Sequence, residues 1–367
     1  RGGASEYGVP RRAYRHPQQG RCETCGLALP ARVQSTSKPP VENPPVSHRS
    51  PALAAFLSAA VLALGGCADV AERHWQTTEE GGLFAASFDP GGEHLLTASV
   101  FHGASLWRVS DATRLHDWQH GEDAGALVAT AFSPDGQHAA TAERHRIVLW
   151  DTASGRALGF WSTTGGIQAL ALSAGGRRLL VGLHDNHALL IDTASAQPLA
   201  RIRHGSAVTA VAISADGRFG VTGASDGIVQ SWTLDSGEAG LSWKFDGAVT
   251  VLTLAGDGSL LFGARAHGKG QIWRLPDGQP VATIGQPRTT IVSARFAADN
   301  GTLLTGLPGG RIMLWNSASG ELLHHWQAAQ PTGTRASGLS TLAVAYGARP
   351  GSVLGAYSDG SVRTWAR

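Results

Sequence analysis

The sequence has little charge, little sulfur and little that favours long helices. Charged residues make up 16% of the 367 residues, and the formal net charge is +2. Runs of helix-favouring charged residues are missing, which points to short strands joined by tight turns. Because the net charge is close to zero, the sequence does not predict the basic surface that nucleic-acid-binding proteins carry. All three cysteines lie within the first 67 residues, so no disulfide is expected in the rest of the chain.

Glycine and apolar residues are abundant instead. The chain contains 48 glycines, and 42% of its residues are hydrophobic. Such a composition suffices to bury a large core and excludes a disordered polymer. The length fits either two domains or one large fold built from repeats.

An uncharged apolar segment, PALAAFLSAAVLALGG, occupies residues 51–66 and is followed directly by Cys67. It is too short to span a hydrocarbon core of about 30 Å, but it has the length of a signal-peptide core. The sequence LGGC at 64–67 resembles the lipobox of bacterial lipoproteins. This resemblance implies cleavage before Cys67, acylation of its thiol and, with Ala68 next, sorting to the outer rather than the inner membrane. The alternative is a buried core cysteine in a cytosolic protein.

These signals divide the chain into four segments. Residues 1–46 are interpreted as disordered or as lying upstream of the true start, because they precede a signal peptide and the only methionine is Met313. The other segments are the signal peptide at 47–66, the lipidated N-terminus with a short tether at 67–71, and the folded body at 72–367.

Tryptophan recurs at two regular positions in the folded body. The first series is Trp107, Trp150, Ile191, Trp232, Trp273, Trp315 and Trp365. Its intervals are 43, 41, 41, 41, 42 and 50 residues. The second series lies 11 residues later and consists of Trp118, Trp161, Ile202, Trp243, Ile284 and Trp326, with Trp75 a further repeat earlier. Together the two series contain all 11 tryptophans, which indicates an internal repeat of about 40–45 residues.

Each repeat contains four alternating apolar runs separated by turn residues, as in AFSPDGQHAATA at 131–142. Such a unit is a four-stranded antiparallel meander, which buries both faces only by stacking on copies of itself. The repeat length and the phrases LWD at 149–151, SPDG at 133–136 and SDGIVQSW at 225–232 resemble the WD-repeat family of β-propellers. The resemblance covers about residues 72–367.

The predicted fold is all-β: a seven-bladed β-propeller of four-stranded antiparallel blades. The first tryptophan series falls on the third strand of each blade and the second on the outer fourth strand, where indole rings fill the wedge between blades. The last repeat ends two residues after Trp365 and lacks a fourth strand, whereas ERHWQTT at 72–78 carries Trp75 in that position with no blade before it. The N-terminal strand is therefore expected to complete the last blade and close the ring.

The WD-repeat resemblance also implies a hydrogen-bonded structural tetrad within a blade. Its members are His204, Thr222, Asp226 and Trp232. The second blade has the corresponding His120, Thr141 and Trp150, but Arg144-His145 stand where the aspartate is expected, so this tetrad is interpreted as degraded.

No catalytic constellation is evident in the folded body, and no catalytic residue, cofactor or metal site is expected. The inner strands, such as VATAF at 128–132, present small apolar residues and almost no titratable groups, where a channel enzyme would need them. The sequence HDNH at 184–187 lies at a hairpin tip where the two imidazoles would diverge. Cys22 and Cys25 supply only half of a zinc site.

The remaining candidate site is the face of the disc where the turns between second and third strands emerge. This uneven rim, rich in Arg and His, is interpreted as a docking face for a protein partner, or alternatively as ordinary solvated turns. Its candidate residues are Phe101, His102, Arg144, His145, His184, Arg265, His267 and Arg288.

Together these features predict a membrane-anchored lipoprotein on the periplasmic side of a bacterial cell envelope, acting as a protein–protein interaction scaffold. The expected partners are a protein and, through the anchor, a membrane; no nucleic acid and no small-molecule substrate are expected. Two alternatives remain open. One is a propeller enzyme, hydrolase or quinoprotein-like, with its site at the channel mouth; the other is a cytosolic assembly subunit.

Overall fold

Short strands separated by glycine-rich turns build the described part of the chain. The structure, a computed structural model, describes residues 71–77, 82–99, 103–121, 125–275, 277–329 and 338–366. These residues contain 28 strands in seven four-stranded sheets, and neighbouring strands pair antiparallel throughout. Across the same residues, no helix has the length and apolar character needed to cross a membrane.

Each sheet is one blade, and the blades are numbered in chain order. Blade 1 consists of β2 (Leu83–Phe88), β3 (His94–Ser99), β4 (Gly103–Arg108) and β5 (Thr113–Trp118). Blade 2 consists of β6 (Ala129–Phe132), β7 (His138–Ala142), β8 (Arg146–Asp151) and β9 (Ala157–Ser162). Blade 3 consists of β10 (Ile167–Leu172), β11 (Arg178–Leu183), β12 (His187–Asp192) and β13 (Gln197–Arg203), with a 3₁₀ turn at Ala174–Gly176.

Blades 4 to 7 continue the same order. Blade 4 consists of β14 (Val208–Ile213), β15 (Phe219–Ala224), β16 (Ile228–Thr233) and β17 (Glu238–Lys244). Blade 5 consists of β18 (Val249–Leu254), β19 (Leu260–Arg265), β20 (Gly270–Arg274) and β21 (Pro280–Ile284). Blade 6 consists of β22 (Ser293–Phe296), β23 (Thr302–Leu307), β24 (Arg311–Asn316) and β25 (Leu322–Gln327). Blade 7 consists of β26 (Thr341–Tyr346), β27 (Val353–Tyr357), β28 (Ser361–Trp365) and, from the other end of the chain, β1 (Ala71–Gln76).

The N-terminal strand completes the last blade, as the sequence predicts. Strand β1 pairs antiparallel with β28, with Ala71 opposite Trp365 and Trp75 opposite Val362. The inner strand of each blade packs against the inner strands of the blades on either side, and β26 of blade 7 packs against β2 of blade 1. The ring is therefore closed between blades 7 and 1. This junction is called the closure seam below.

Apolar side chains fill the spaces between the blades. The third-strand indoles lie in the inter-blade core, and Trp107, Trp150 and Trp315 donate to the hydroxyls of Thr97, Thr141 and Thr305, respectively. Three of the fourth-strand indoles reach the next blade and donate to backbone carbonyls in its outer turn or at its end. These bonds are Trp118 to Gly155 at 3.0 Å, Trp243 to Gly278 at 3.1 Å and Trp326 to Ala366 at 3.2 Å. Both tryptophan series thus occupy the predicted strands.

An antiparallel meander sends its connections alternately to its two ends, which gives the disc two distinct faces. The hairpins between first and second strands and the turns between third and fourth strands lie on one face, called the hairpin face. The turns between second and third strands and the connections between blades lie on the other, called the loop face.

Candidate functional site

Backbone hydrogen bonds hold the turns of the loop face against the inter-blade connections. The N–H of Ile167 donates to the carbonyl of Arg144 at 2.7 Å, and the N–H of Ala266 donates to the carbonyl of Ala248 at 2.8 Å. Because blades 3, 4 and 7 have bonds equivalent to that of Ala266, the rim side chains stand on a rigid support rather than on independent loops.

The structure places the described rim candidates on this face. Arg144 and His145 are exposed in the β7–β8 turn, and His184 is exposed in the β11–β12 turn. His267 and Arg288 are also exposed, whereas Arg265 is half-buried. Phe101 and His102 lie outside the described residues, as does Cys67.

Arg265, His267 and Arg288 lie together on blades 5 and 6. The N–H of His267 donates to Oγ1 of Thr290, which brings the β19–β20 turn against the connection that carries Arg288. His267 and Arg288 both have left-handed backbones, with φ of 53° and 62°. Such conformations cost a non-glycine residue on the order of 1 kcal/mol, and they are concentrated at functional sites.

Several basic side chains of the described loop face have no acidic partner among the described residues. Asp246 pairs with Arg265 at 2.8 Å, and Asp185 pairs with Arg201 at 3.0 Å. By contrast, Arg144, Lys269 and Arg288 make no ion pair with any residue the structure describes. The arrangement suits an acidic protein surface.

The histidines at 184–187 do not converge on a common point. His187 Nδ1 lies 2.9 Å from the carbonyl of Asp185, while His184 is exposed. In the described part of the chain, no three His, Cys, Asp or Glu side chains are grouped so as to hold a metal ion.

Three of the four predicted tetrad residues of blade 4 share hydrogen bonds. His204 Nε2 lies 2.7 Å from Oγ1 of Thr222, and Trp232 Nε1 donates to the same oxygen at 2.7 Å. Asp226 instead accepts the N–H of Ile228 at 3.0 Å, so it closes the β15–β16 turn. Burial lowers the pKa of His204, and the nearby Asp226 carboxylate opposes that shift. Thr222 also donates to the carbonyl of Gln230, which favours a structural role for its hydroxyl.

Blade 2 places an acid beside its tetrad histidine, which the interpretation of this tetrad as degraded did not identify. His120 Nε2 and Trp150 Nε1 lie 2.7 and 2.8 Å from Oγ1 of Thr141. The acid is the buried Glu143, whose Oε1 lies 3.2 Å from Nδ1 of His120 and whose Oε2 lies 3.0 Å from Nη2 of Arg146. Burial lowers the pKa of His120, and Glu143 opposes that shift.

Among the described residues, the innermost strands carry one charged side chain, which the sequence reasoning passed over. Arg295 on β22 donates to the carbonyls of Asp89 and Phe88 at 2.8 and 3.1 Å, and so it joins blade 6 to blade 1. Burial lowers the pKa of this guanidinium, while Asp89 and Tyr346 favour its charged form. Its donors are directed at backbone carbonyls, which points to a structural use.

Two large aromatic side chains outside the predicted rim are also exposed. Phe84, on the innermost strand of blade 1, is 62% exposed, and Phe160, on the outer strand of blade 2, is 66% exposed. Phe160 stands where the outer strands of the other blades carry polar residues, such as Asp117 and Arg201, and this contrast is its signal in the sequence. The counterparts of Phe84 include Val292 and Leu342, so its exposure has no such signal.

Comparison with known families supports the WD-repeat interpretation. Residues 196–233 match the family model described as WD domain, G-beta repeat. The matched segment begins in the outer turn of blade 3, ends on β16 and includes the tetrad of blade 4. No curated protein matches the chain significantly. The repeat match and the seven-bladed ring together support a WD-repeat propeller, an architecture that in general serves protein interaction.

Proposed function

We propose that the protein is a lipid-anchored scaffold of the bacterial cell envelope that binds an acidic protein partner through the loop face. The observation that carries this proposal is the group of cations Arg144, Lys269 and Arg288, which make no ion pair with any described residue although every acid named on this face is engaged. Exposed arginines on a rigid support are typical contributors to binding energy at protein interfaces.

The lipid anchor is proposed from the sequence alone. Cys67 follows an uncharged apolar run in the order typical of lipoproteins. Acylation there would hold the propeller at the periplasmic side of a membrane, with the outer membrane favoured by Ala68. No catalytic residue is proposed, because the one charged channel residue found, Arg295, donates to backbone carbonyls.

The docking face is tested by site-specific photo-cross-linking in cells. A photoreactive amino acid is placed at Arg288 on the loop face, and the matched control is Gly256, exposed at a hairpin tip of blade 5 on the opposite face. We expect a discrete cross-linked protein at Arg288 only, and its loss when Arg144→Glu and Lys269→Glu are added. Equal cross-linking from both faces, or insensitivity to the two charge reversals, would contradict the proposal.

The anchor is tested separately by metabolic labelling with a palmitate analogue. We expect label on the wild-type protein and none on Cys67→Ala, together with release of the variant into the soluble fraction. An unlabelled wild-type protein would refute the anchor while leaving the docking face untouched.

A further inference from the structure

The closure seam contains a cavity of about 410 Å³ on the hairpin face. Blade 7 contributes Arg73 from β1 and Arg349 from the β26–β27 hairpin, and blade 1 contributes Arg108 and His94. The buried residues Ser352 and Leu354 also line it. The volume is in the range of small-molecule sites.

Three guanidinium groups line this cavity, against few acids. Arg73 donates to the carbonyl of Ser110 at 2.5 Å, and Arg108 donates to Asp111 at 3.1 Å. A guanidinium carries five N–H donors, so these contacts leave several donors for a ligand. Among the described residues that line the cavity, the exposed Glu93 is the one carboxylate; Asp89, which lies 3.0 Å from His94, is not part of the lining.

The other blades show that Arg349 departs from the repeat. The bond from the N–H of Gly347 to the carbonyl of Ser352 matches that from Ser133 to His138, so Arg349 occupies the position of Asp135. Four hairpins carry aspartate at this position, and each carboxylate accepts the N–H two residues later; they are Asp135, Asp216, Asp257 and Asp299. Blade 7 thus carries a cation where these four hairpins carry a turn-capping acid.

Arg73 departs from the repeat as well. It lies two residues before the fourth-strand Trp75, and its counterparts are His116, Gly159, Ala200, Leu241, Ala282 and His324. Arg108 has one arginine counterpart, Arg274, which is likewise paired with an aspartate three residues later. Among the seven blade junctions, only the closure seam combines the three arginines.

We infer that this cavity binds a small molecule carrying a phosphate or carboxylate group. Guanidinium groups recognise both oxyanions in bidentate geometry, and three of them around one cavity match a ligand with at least two negative charges. The site departs from the sequence-based expectation that no small molecule binds. Because both ends of the chain build it, a bound ligand stabilises the closed ring.

Isothermal titration calorimetry on the full chain tests this site, with pyrophosphate and citrate as probes at constant ionic strength set by sodium chloride. We expect saturable binding of at least one probe, and the tighter probe identifies the preferred group. Arg108→Gln is expected to weaken binding by about tenfold or more, because a charge-assisted hydrogen bond is lost. The matched control Arg274→Gln, at the equivalent position of another blade, should leave the affinity within about twofold.

Arg349→Asp separates binding from folding, because it introduces the residue that four other hairpins carry at this position. This variant should lose binding without a lower Tm in the absence of ligand. The inference is overturned if neither anion saturates, which would mean an adventitious ion only, or if Arg274→Gln weakens binding as much as Arg108→Gln. None of these outcomes depends on the proposed partner of the loop face.

Discussion

The indole ring of Trp118 stacks on that of Trp150, with centroids 4.8 Å apart and planes 4° from parallel. Trp118 ends the outer strand of blade 1, and Trp150 lies on the third strand of blade 2. No strand pairing joins these two blades, so the contact depends on side chains. The indole N–H of Trp118 adds a bond to Gly155 of blade 2, which makes this residue a principal link between the blades.

Removing that link should destabilise the ring strongly. Trp118→Ala is expected to lower the free energy of unfolding by about 3–5 kcal/mol, because it leaves a cavity between blades and breaks the bond to Gly155. Trp75→Ala should cost about 1–2 kcal/mol, since Trp75 is half-buried and tilted against Trp107 at 5.5 Å. Guanidinium unfolding measures both values. Equal losses of free energy in the two variants would mean that the degree of burial does not determine how much each tryptophan contributes to stability.

Blade 3 carries a backbone strain that a single substitution can relieve. Ala196 has φ of 58°, whereas blades 2, 4, 5 and 6 have glycine at the equivalent turn position, as at Gly155 with φ of 72°; blade 1 has Ala112, also with φ of 58°. Ala196→Gly should therefore raise the free energy of unfolding by about 0.5–1 kcal/mol, because the left-handed conformation suits glycine. Thermal unfolding provides the readout.

The reverse substitution in blade 2 is the matched control for this turn. Gly155→Ala should destabilise the protein by about 1–2 kcal/mol or more, because its Cβ would lie 2.5 Å from Nδ1 of His116 as well as adopting a disfavoured φ. If both substitutions shift Tm in the same direction, strain in the turn is not what distinguishes blade 3.

Stability should fall as the solution is acidified below neutral pH. Burial lowers the pKa values of His120 and His204 from the ordinary value of 6.5. Just below that value the unfolded chain binds protons that the folded protein does not, so stability rises with pH and is lost as pH falls through 6.5 toward the folded-state pKa. Urea midpoints measured between about pH 7.5 and pH 5 should show this slope. The slope should flatten in the double variant His120→Gln, His204→Gln, and a slope unchanged by these substitutions would assign the effect to other groups.

The acid of blade 2 should contribute more to stability than the tetrad acid expected from the sequence. Glu143→Gln is expected to cost about 1–2 kcal/mol, because the buried carboxylate interacts with both His120 and Arg146. Asp226→Asn should cost less than about 1 kcal/mol, because that half-buried carboxylate accepts one backbone N–H and makes no ion pair with any described residue. Denaturant unfolding compares the two, and the opposite order would refute the assignment of Glu143.

The spacing of tryptophans was sufficient to predict the blades and their closure, because an indole on a fixed strand of each repeat reports the register directly. Trp75 marked the outer strand of the last blade although 290 residues separate it from Trp365. Pattern matching failed at Glu143 for a geometric reason. The interval from Thr141 to Trp150 is one residue shorter than that from Thr222 to Trp232, so a longer acid placed earlier in the turn reaches the histidine.

Contacts across the ring were beyond the reach of the repeat pattern. Arg295 lies in the phrase VSARF, where nothing local indicates that its partners are the carbonyls of Phe88 and Asp89. The pairing depends on the closed ring, which brings blade 6 near blade 1. The cavity at the closure seam has the same origin, since Arg73 and Arg349 come from opposite ends of the chain.

Substitution of Arg295 should destabilise the protein far more than substitution of an exposed arginine. Arg295→Met keeps the aliphatic volume but leaves the carbonyls of Phe88 and Asp89 without this donor, and we expect a loss of about 2–3 kcal/mol. The control is Arg156→Met, because Arg156 is exposed and its side chain makes no comparable hydrogen bond to a described residue. This variant should change the free energy of unfolding by less than about 0.5 kcal/mol. Because the guanidinium joins blade 6 to blade 1, the Arg295 variant should also show faster proteolysis in blades 6, 7 and 1 than in the other blades. If Arg295→Met changes the unfolding midpoint and the rate of proteolysis as little as Arg156→Met does, the ring closes without this contact.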